Sequence, residues 1–201
     1  MLSDLRLILF TRVPESGKVK TRLAADAGNE KALRVHEYLL EKTIHSIRVS
    51  GFESEVHCPE LPEGNIPGNL EFPQLQVEGD LGQKMARAFQ NAFSKGADRV
   101  LLIGSECPDL TGEILQKAGT HLIESDLVLG PTKDGGYYLI GMKRFQPALF
   151  ENIPWSTSEV FNLTFKAASA LKLNVSLLPV LEDIDTIQDL ETWENRNGKI
   201  I

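Results

Sequence analysis

A loop near the start of the chain carries the side chains best suited to bind an anion. Its cationic and hydroxyl residues are Arg12, Lys18, Lys20, Thr21 and Arg22. Positive side chains beside the free backbone N–H groups of a helix start favour phosphate. We therefore predict that this loop binds the phosphates of a ligand, the alternative being a solvated basic loop. A Walker A cradle is excluded, because the segment has one glycine and lacks the GxxxxGKS/T spacing.

Acidic residues at two later points have the chemistry to hold a divalent cation. Glu106 follows the continuous apolar run at residues 100–104, and Asp183 and Asp185 lie together near the end of the chain. Mg²⁺ binds through one or two carboxylates together with substrate phosphates. We predict Glu106 as a metal ligand that a later aspartate complements. The alternative is that the aspartates, Asp109 among them, cap helices.

The segment at residues 130–141, GPTKDGGYYLIG, combines Asp134 with two adjacent glycines and two tyrosines. Adjacent glycines let a backbone approach a ligand closely, but Asp-Gly is also the strongest short hairpin signal. Both interpretations are compatible, since a hairpin at the edge of a crevice can also contact substrate. Further on, Trp155 is a candidate for an acceptor pocket, whereas Ser156 and Glu159 have the spacing of a capping box.

Apolar runs and helical periodicity predict the elements that position these residues. Strands are predicted at residues 5–10, 54–58, 100–104, 126–131, 137–142 and 175–181. Helices are predicted at residues 30–49 and 111–124 and after the capping residues Asp80, Ser156 and Asp185. The Pro- and Gly-rich residues 59–73 are predicted to form an irregular surface loop.

Alternation of strands and helices predicts an α/β fold, with a mostly parallel sheet and helices on both faces. The close pair of strands on either side of Asp134 is expected to add an antiparallel strand. Ligands of such sheets bind beyond the carboxyl ends of the strands, where the basic loop and Glu106 are placed. The length of 201 residues is compatible with a single domain over residues 1–201.

Composition excludes several other classes of protein. The chain has 21 basic and 28 acidic residues and a net charge of −7, which argues against a general nucleic-acid or membrane surface. No run reaches the roughly 18 apolar residues of a membrane span. Cys58 and Cys107 have no CxxC spacing and suit reduced thiols, and the histidines have no metal-ligand spacing. We therefore expect a cytoplasmic protein.

Taken together and in order, the motifs resemble the DUF2064 family of nucleotide-diphospho-sugar transferase-like proteins, which has the glycosyltransferase A fold. The motifs are FTRVPESGKVKTRL, VEGDLGQKM, IGSECPDL, GPTKDGGYYLIG, PWST and DIDTIQDL. The resemblance implies a three-layer, Rossmann-like sheet that binds a nucleotide sugar or a nucleoside triphosphate with Mg²⁺ or Mn²⁺. It extends to guanylyltransferase-type nucleotidyltransferases. One departure is Glu106, where the family usually has aspartate.

The motifs and the resemblance together assign roles to individual positions, and the resemblance itself implies phosphate binding by Arg12, Lys18, Lys20 and Arg22 and metal binding by Glu106 and Asp185. Catalysis is assigned to Asp134 and Lys20, and metal binding to Glu106 and Asp185. Nucleotide and phosphate binding is assigned to Arg12, Lys18, Lys20, Thr21, Arg22 and Asp80. The substrate pocket is assigned to Gly135, Gly136, Tyr137, Trp155, Ser156 and Thr157.

These assignments support three hypotheses. The first is transfer of a glycosyl group from a nucleotide sugar to a small-molecule acceptor. The second is nucleotidyl transfer on the same fold, with release of pyrophosphate. The third, motivated by Glu106, is a nucleotide-binding protein without catalysis. Fold and phosphate binding are common to all three, so the products must separate them.

Overall fold

The computed structural model describes residues 5–61 and 73–200. Its strands are β1 (Leu5–Phe10), β2 (Glu53–Cys58), β3 (Gln74–Leu75), β4 (Arg99–Ile103), β5 (Leu127–Pro131), β6 (Tyr137–Met142) and β7 (Val175–Leu177). Its helices are α1 (Thr21–Ala27), α2 (Asn29–Ser50), α3 (Leu81–Ser94), α4 (Gly112–Glu124), α5 (Val160–Ala170) and α6 (Ile187–Asn197), with a 3-10 turn at Pro147–Phe150.

The strands form a 7-stranded sheet in the order β3-β2-β1-β4-β6-β5-β7. β1 pairs in parallel with β2 and β4, and β5 pairs in parallel with β7. β6 is antiparallel to both of its neighbours, β4 and β5. The predictions of a mostly parallel sheet and of an antiparallel strand next to Asp134 are therefore confirmed.

Helices cover both faces of the sheet, as the continuous apolar strands require. On one face, Leu7 and Leu101 pack with Ile44 of α2 and Leu115 of α4. On the other face, the alternate strand residues contact α3 and α5; this cluster includes Ile8, Val100, Leu102, Phe89 and Ala168. The predicted three-layer α/β class is confirmed.

A third apolar cluster attaches the short helix α1 to the body of the protein. Leu23 of α1 packs with Leu39 of α2 and with Leu190 and Trp193 of α6. The cluster lies beneath the basic loop and the acidic segment before α6. It therefore holds the basic loop and the acidic segment, two parts of the candidate site, against α2.

Two predicted helix caps are wrong, and one strand is shorter than predicted. α6 is capped by Thr186, whose hydroxyl accepts from the backbone N–H of Asp189, and Asp185 is left outside the cap. α5 begins at Val160 with no side-chain cap, so the predicted Ser156 capping box does not form. The final strand ends at Leu177 and continues as an isolated bridge between Thr132 and Leu181.

Other predicted features of the backbone are confirmed. Asp80 and Gln83 form a capping box at α3, and Thr111 caps α4. Cys58 and Cys107 are both buried and free. Most of the predicted loop at residues 59–73 lies outside the described residues. None of the described helices has the length and apolar character needed to cross a membrane.

Candidate active site

Loops from distant parts of the chain meet at the carboxyl edge of the parallel strands. The hydroxyls of Thr11 and Ser105, which follow β1 and β4, are 2.9 Å apart. The backbone N–H of Ile184 donates to the carbonyl oxygen of Glu106 at 3.0 Å. The N–H of Lys133 donates to the carbonyl of Leu181 at 3.1 Å. Backbone hydrogen bonds therefore fix the acidic segment before α6 against the loop after β4 and against the β5–β6 hairpin.

These loops enclose a cleft of about 280 Å³. Its lining residues are Arg22, Leu81, Gly104, Glu106, Cys107, Thr132, Asp134, Gly136, Tyr137, Tyr138, Trp155, Ser156, Thr157, Val160, Asp183 and Asp185. Residues predicted from five separate motifs thus share one cavity. The cleft has two walls of different construction.

The charged wall consists of Lys20, Arg22, Glu106 and Asp185. The ammonium of Lys20 lies 2.6 Å from Glu106 Oε1 and 3.5 Å from Asp185 Oδ1. Nη1 of Arg22 donates to the other oxygen of Asp185, at 3.1 Å. Exposed fractions of the side chains are 1% for Lys20, 52% for Glu106, 33% for Asp185 and 69% for Arg22. Lys20 is therefore buried behind the two carboxylates, and Arg22 faces the solvent.

The backbone at Lys20 is adapted to this burial. Lys20 precedes α1 with φ 46° and ψ 47°, a left-handed conformation that is costly for a residue with a side chain. Val19 and Leu23 on either side are also buried. Burial opposes ionisation of the Glu106 carboxyl, but the adjacent Lys20 ammonium outweighs this and lowers the pKa of Glu106 below its ordinary value. The Glu106 carboxyl is therefore ionised near neutral pH.

Asp183 lies on the floor of the cleft without a cationic contact of this kind. Burial raises its pKa to about 6, and the negative charges of Asp134 and Glu106 act in the same direction. From the sequence, Asp183 was named with Asp185 as a candidate to complete a metal site, but the specific assignment went to Asp185. Its position two residues before Asp185 was the available signal.

The packed wall consists of the β5–β6 hairpin, from Thr132 to Gly136, and the turn from Trp155 to Ser158. Oδ1 of Asp134 accepts hydrogen bonds from the Thr132 hydroxyl and from the N–H of Gly136, so Asp134 shapes the hairpin. Gly135 has φ +93°, and a Cβ there would lie 2.1 Å from the carbonyl oxygen of Ser158. Only glycine fits this close approach of two backbones.

Trp155 closes the other end of the packed wall. Its ring stacks on Phe150, with centroids 6.5 Å apart, and lies over the start of α3, where a Cβ on Gly82 would meet Nε1 at 2.3 Å. The next residue, Ser156, has φ 64° and is exposed. Tyr137 also lines the cleft, but its hydroxyl is buried and makes no hydrogen bond with the described residues of the cleft. The predicted pocket residues are thus held largely by packing.

Several predicted ligand-binding residues lie outside the cleft lining. Lys18 contacts Glu15 and Glu60, at 2.8 and 3.3 Å, on the solvent side of the loop. Arg12 donates to the carbonyl of Lys18 at 3.4 Å and closes the basic loop. Thr21 is exposed at the first position of α1, and Asp80 is engaged in the α3 cap. Their roles in nucleotide binding stay predictions.

His36 supports the basic loop from beneath. Its Nε2–H donates to the carbonyl oxygen of Arg12 at 3.1 Å, and burial lowers the pKa of its ring. A neutral imidazole that holds the loop agrees with the structural role predicted for the histidines.

A wider surface groove of about 690 Å³ lies between α2 and the start of α4. It contains Tyr38, Lys42 and Asp109 but none of the residues assigned to catalysis, metal or nucleotide binding. Asp109 accepts from Nε1 of Trp193 at 3.1 Å and is not the cap of α4. The smaller cleft is therefore the candidate active site.

The charged wall also tests whether a divalent cation fits between the two predicted ligands. Glu106 and Asp185 lie together as predicted, but the ammonium of Lys20 contacts both of them. Within residues 5–61 and 73–200, no group of three or more His, Cys, Asp or Glu residues has the arrangement of a metal site. As arranged, the carboxylate pair does not fit a divalent cation, because its cation position is filled by Lys20.

Comparison with solved structures defines the class of the fold. A protein of Mycobacterium tuberculosis H37Rv in complex with manganese is 13% identical and has a TM-score of 0.60 over 96% of this chain and 100% of its own. CMP:2-keto-3-deoxy-manno-octonic acid synthetase in complex with CTP is 10% identical, with a TM-score of 0.59 over 96% of this chain and 98% of its own. The chain has the Rossmann-like fold that nucleotidyltransferases and nucleotide-diphospho-sugar transferases share.

A nearer relative identifies the family. A protein of Desulfovibrio desulfuricans G20, described as a “putative nucleotide-diphospho-sugar transferase”, is 33% identical, with a TM-score of 0.87 over 98% of this chain and 88% of its own. The family model described as “Uncharacterized protein conserved in bacteria (DUF2064)” matches residues 63–157. The chain belongs to the DUF2064 family. No curated protein sequence gives a significant match.

Proposed function

We propose that this protein is an enzyme that transfers a glycosyl group from a nucleotide-diphospho-sugar to a small-molecule acceptor. The observation that carries the proposal is the two-sided cleft. The exposed Arg22 lies on one side, and the carboxylate of Asp134 lies with the ring of Trp155 on the other. These are the groups that a diphosphate and a sugar require. The 33% identical relative, described as a transferase of this type, supports the same proposal.

Arg22 is the group best placed to bind the diphosphate. One of its N–H groups contacts Asp185, and its 69% exposure leaves the remaining N–H groups accessible from the cleft. A guanidinium binds two phosphate oxygens at once through its planar set of donors. As the bond between sugar and diphosphate breaks, negative charge grows on the diphosphate oxygen. Arg22 would stabilise that charge and so lower the barrier.

The packed wall would hold the sugar and the acceptor. An aromatic ring such as that of Trp155 offers an apolar face, and the exposed carboxylate of Asp134 accepts hydrogen bonds from hydroxyl groups. Asp134 Oδ1 is used by the hairpin, so Oδ2 is the atom to accept a proton from an acceptor hydroxyl as it attacks. This is the catalytic role proposed for Asp134.

The proposal is tested by measuring products rather than binding. The purified chain is incubated with a panel of nucleotide sugars and with sugar, alcohol and phosphorylated acceptors. Release of nucleoside diphosphate and formation of glycosylated acceptor are followed by mass spectrometry. We expect turnover with at least one donor, and Arg22→Ala to lower it about tenfold or more, since charge-assisted contacts to phosphate are strong.

Arg34→Ala is the matched control. Arg34 is an exposed arginine with one carboxylate partner, Glu30 at 2.9 Å, and it lies on α2 outside the cleft. Its loss should leave turnover unchanged. Release of pyrophosphate from a nucleoside triphosphate, together with a nucleotidylated acceptor, would replace this proposal with nucleotidyl transfer. Nucleotide binding without any turnover would indicate a binding protein.

A further inference from the structure

The cation position of the charged wall is occupied by a side chain of the protein itself. We infer that Lys20 replaces a divalent cation at Glu106 and Asp185, so that this chain organises its candidate active site without metal. The inference concerns the same cleft as the proposed function. It is independent of which group is transferred, and its test uses no nucleotide.

The contacts of Lys20 match the requirements for such a role. Its ammonium lies 2.6 Å from Glu106 and 3.5 Å from Asp185, and so links the loop after β4 to the segment before α6. These are the two carboxylates that the family resemblance assigns to the metal. A cation that bridges them is needed because two carboxylates close together repel each other.

Lys20 is also fixed in this position. Its side chain is 1% exposed, and a buried ammonium is stable only when it is paired. The left-handed backbone of Lys20 directs the side chain behind the loop, away from solvent. The hydrogen bond from Ile184 N–H to the Glu106 carbonyl holds the two acidic segments at a constant separation. The Lys20 ammonium, which bridges the two carboxylates, is therefore a permanent part of the fold.

An ammonium and a divalent cation cannot share this position. A metal bound to Glu106 and Asp185 would lie within a few ångströms of the Lys20 ammonium, where like charges repel strongly. A divalent cation would have to displace Lys20 and leave its charge buried without a partner. It follows that the wild-type protein binds divalent cations weakly at this pair, and that removing the Lys20 charge opens the position.

The test compares Mn²⁺ binding by the wild-type protein with binding by Lys20→Met, which keeps an unbranched side chain one atom shorter and removes its charge. Free Mn²⁺ is measured by electron paramagnetic resonance, and thermal unfolding is followed with and without Mn²⁺. We expect no Mn²⁺-dependent shift for the wild type. Lys20→Met should bind Mn²⁺ about tenfold or more tightly, with a rise in Tm, because the metal then takes the vacated position.

Lys143→Met is the matched control. Lys143 is a lysine whose side chain is 30% exposed and lies 3.4 Å from Asp126, and it follows β6 at the opposite edge of the sheet. It should respond to Mn²⁺ as the wild type does. The double variant Lys20→Met/Glu106→Gln should lose the gained affinity, which assigns it to this pair.

Three results would overturn the inference. The first is tight Mn²⁺ binding by the wild type, a measurement that remains decisive if Lys20→Met does not fold. The second is a folded Lys20→Met that gains no Mn²⁺ affinity. The third is a double variant that keeps the gained affinity, since the metal would then bind elsewhere. Because no nucleotide is present, each result is separate from the outcome of the transferase assay.

Discussion

The two walls of the cleft are built by different forces. The charged wall is held by ion pairs between side chains that are far apart in the sequence, such as Lys20 and Glu106, 86 positions apart. The packed wall is held by close approach of backbones and rings, such as Gly135 against Ser158 and Gly82 against Trp155. A charge acts over several ångströms, whereas packing fails within tenths of an ångström.

The two walls should therefore tolerate amino-acid substitutions differently. Substitutions in the charged wall are expected to alter electrostatics and stability by moderate amounts while the fold persists. Substitutions in the packed wall are expected to disturb the shape of the cleft even when they add a single methyl group. Four substitutions, with matched controls, test this contrast.

Gly135→Ala should have the largest effect on stability. The added Cβ would lie 2.1 Å from the Ser158 carbonyl oxygen, and the backbone would keep a φ of +93°. We expect the free energy of unfolding to fall by at least about 3 kcal/mol in urea titrations. Gly28→Ala is the control, since φ is +83° but nothing lies within 4 Å. Its cost should be about 1–2 kcal/mol, and equal costs would contradict the packing argument.

Gly82→Ala should disturb the packed wall through a side chain rather than the backbone. The new methyl group would lie 2.3 Å from Nε1 of Trp155, so the ring must move. We expect a loss of about 1–2 kcal/mol and a change in tryptophan fluorescence that reports the displaced ring. In a Trp155→Ala background, Gly82→Ala should cause no further loss of stability, because the ring that the new methyl group would meet is absent. A fluorescence spectrum identical to that of the wild type would show that the ring does not move.

Glu106→Gln should weaken the charged wall without a change of shape. Lys20 would keep only its 3.5 Å contact with Asp185 as a full ion pair. Because the Glu106 side chain is 52% exposed, solvent screens the ion pair. We therefore expect the free energy of unfolding to fall by only about 1 kcal/mol, and by more at low salt. Glu30→Gln, which breaks the exposed pair with Arg34, should cost under about 0.5 kcal/mol. Urea titrations at two ionic strengths measure both variants, and equal costs would indicate that Lys20 is not held by Glu106.

Asp183→Asn should change the pH dependence of stability. The pKa of Asp183 is raised to about 6 in the folded protein, above its ordinary value of 3.8. Folding is therefore penalised as pH rises from about 4 to 6, and the penalty is complete above that range. We expect the variant to match the wild type below pH 4 and to be about 1 kcal/mol more stable at pH 8, less than the full pKa shift would give because Asp183 is partly exposed to solvent.

Asp126→Asn is the comparison, because it should change the pH dependence of stability in the opposite direction. A hydrogen bond from the Asn174 backbone N–H lowers the pKa of Asp126, so its contribution to stability is present above the ordinary pKa and is lost on acidification. This variant should be less stable than the wild type at pH 8 and equal to it in acid. Urea titrations at about pH 2, 4 and 8 distinguish the two cases, because the contribution of Asp126 is lost only below about pH 4. Parallel pH profiles for Asp183→Asn and the wild type would refute the proposed penalty.

Features with a local cause were predicted well from the sequence. Residues 30–49 were predicted as a helix from their periodicity, and the helix spans Asn29–Ser50. The antiparallel strand was predicted from an Asp-Gly pair between apolar runs, and the capping box of Asp80 from a spacing of three. In each case the determining residues lie within a few positions of one another.

Other features, several of which depend on distant residues, were not predicted. Lys20 was expected to contact ligand phosphate, but its burial depends on Glu106 and on the left-handed turn before α1. Asp185 was expected to cap α6, but Asp189 Oδ2 already accepts from the N–H and the hydroxyl of Thr186. This leaves Asp185 free to contact Arg22. The Thr186–Asp189 spacing of three was a local signal for this cap, whereas no local pattern contains the ion pairs of Lys20.

The direction of β6 has a consequence for how the cleft can vary. Because β6 is antiparallel to β5, the chain turns back at the ligand edge through Thr132–Gly136 and needs no crossover helix there. Every residue added to this connection would enter the cleft, since the backbone on both sides is fixed by sheet hydrogen bonds. The length of one hairpin thus sets the depth of the cavity, and relatives that differ there are expected to bind ligands of different size.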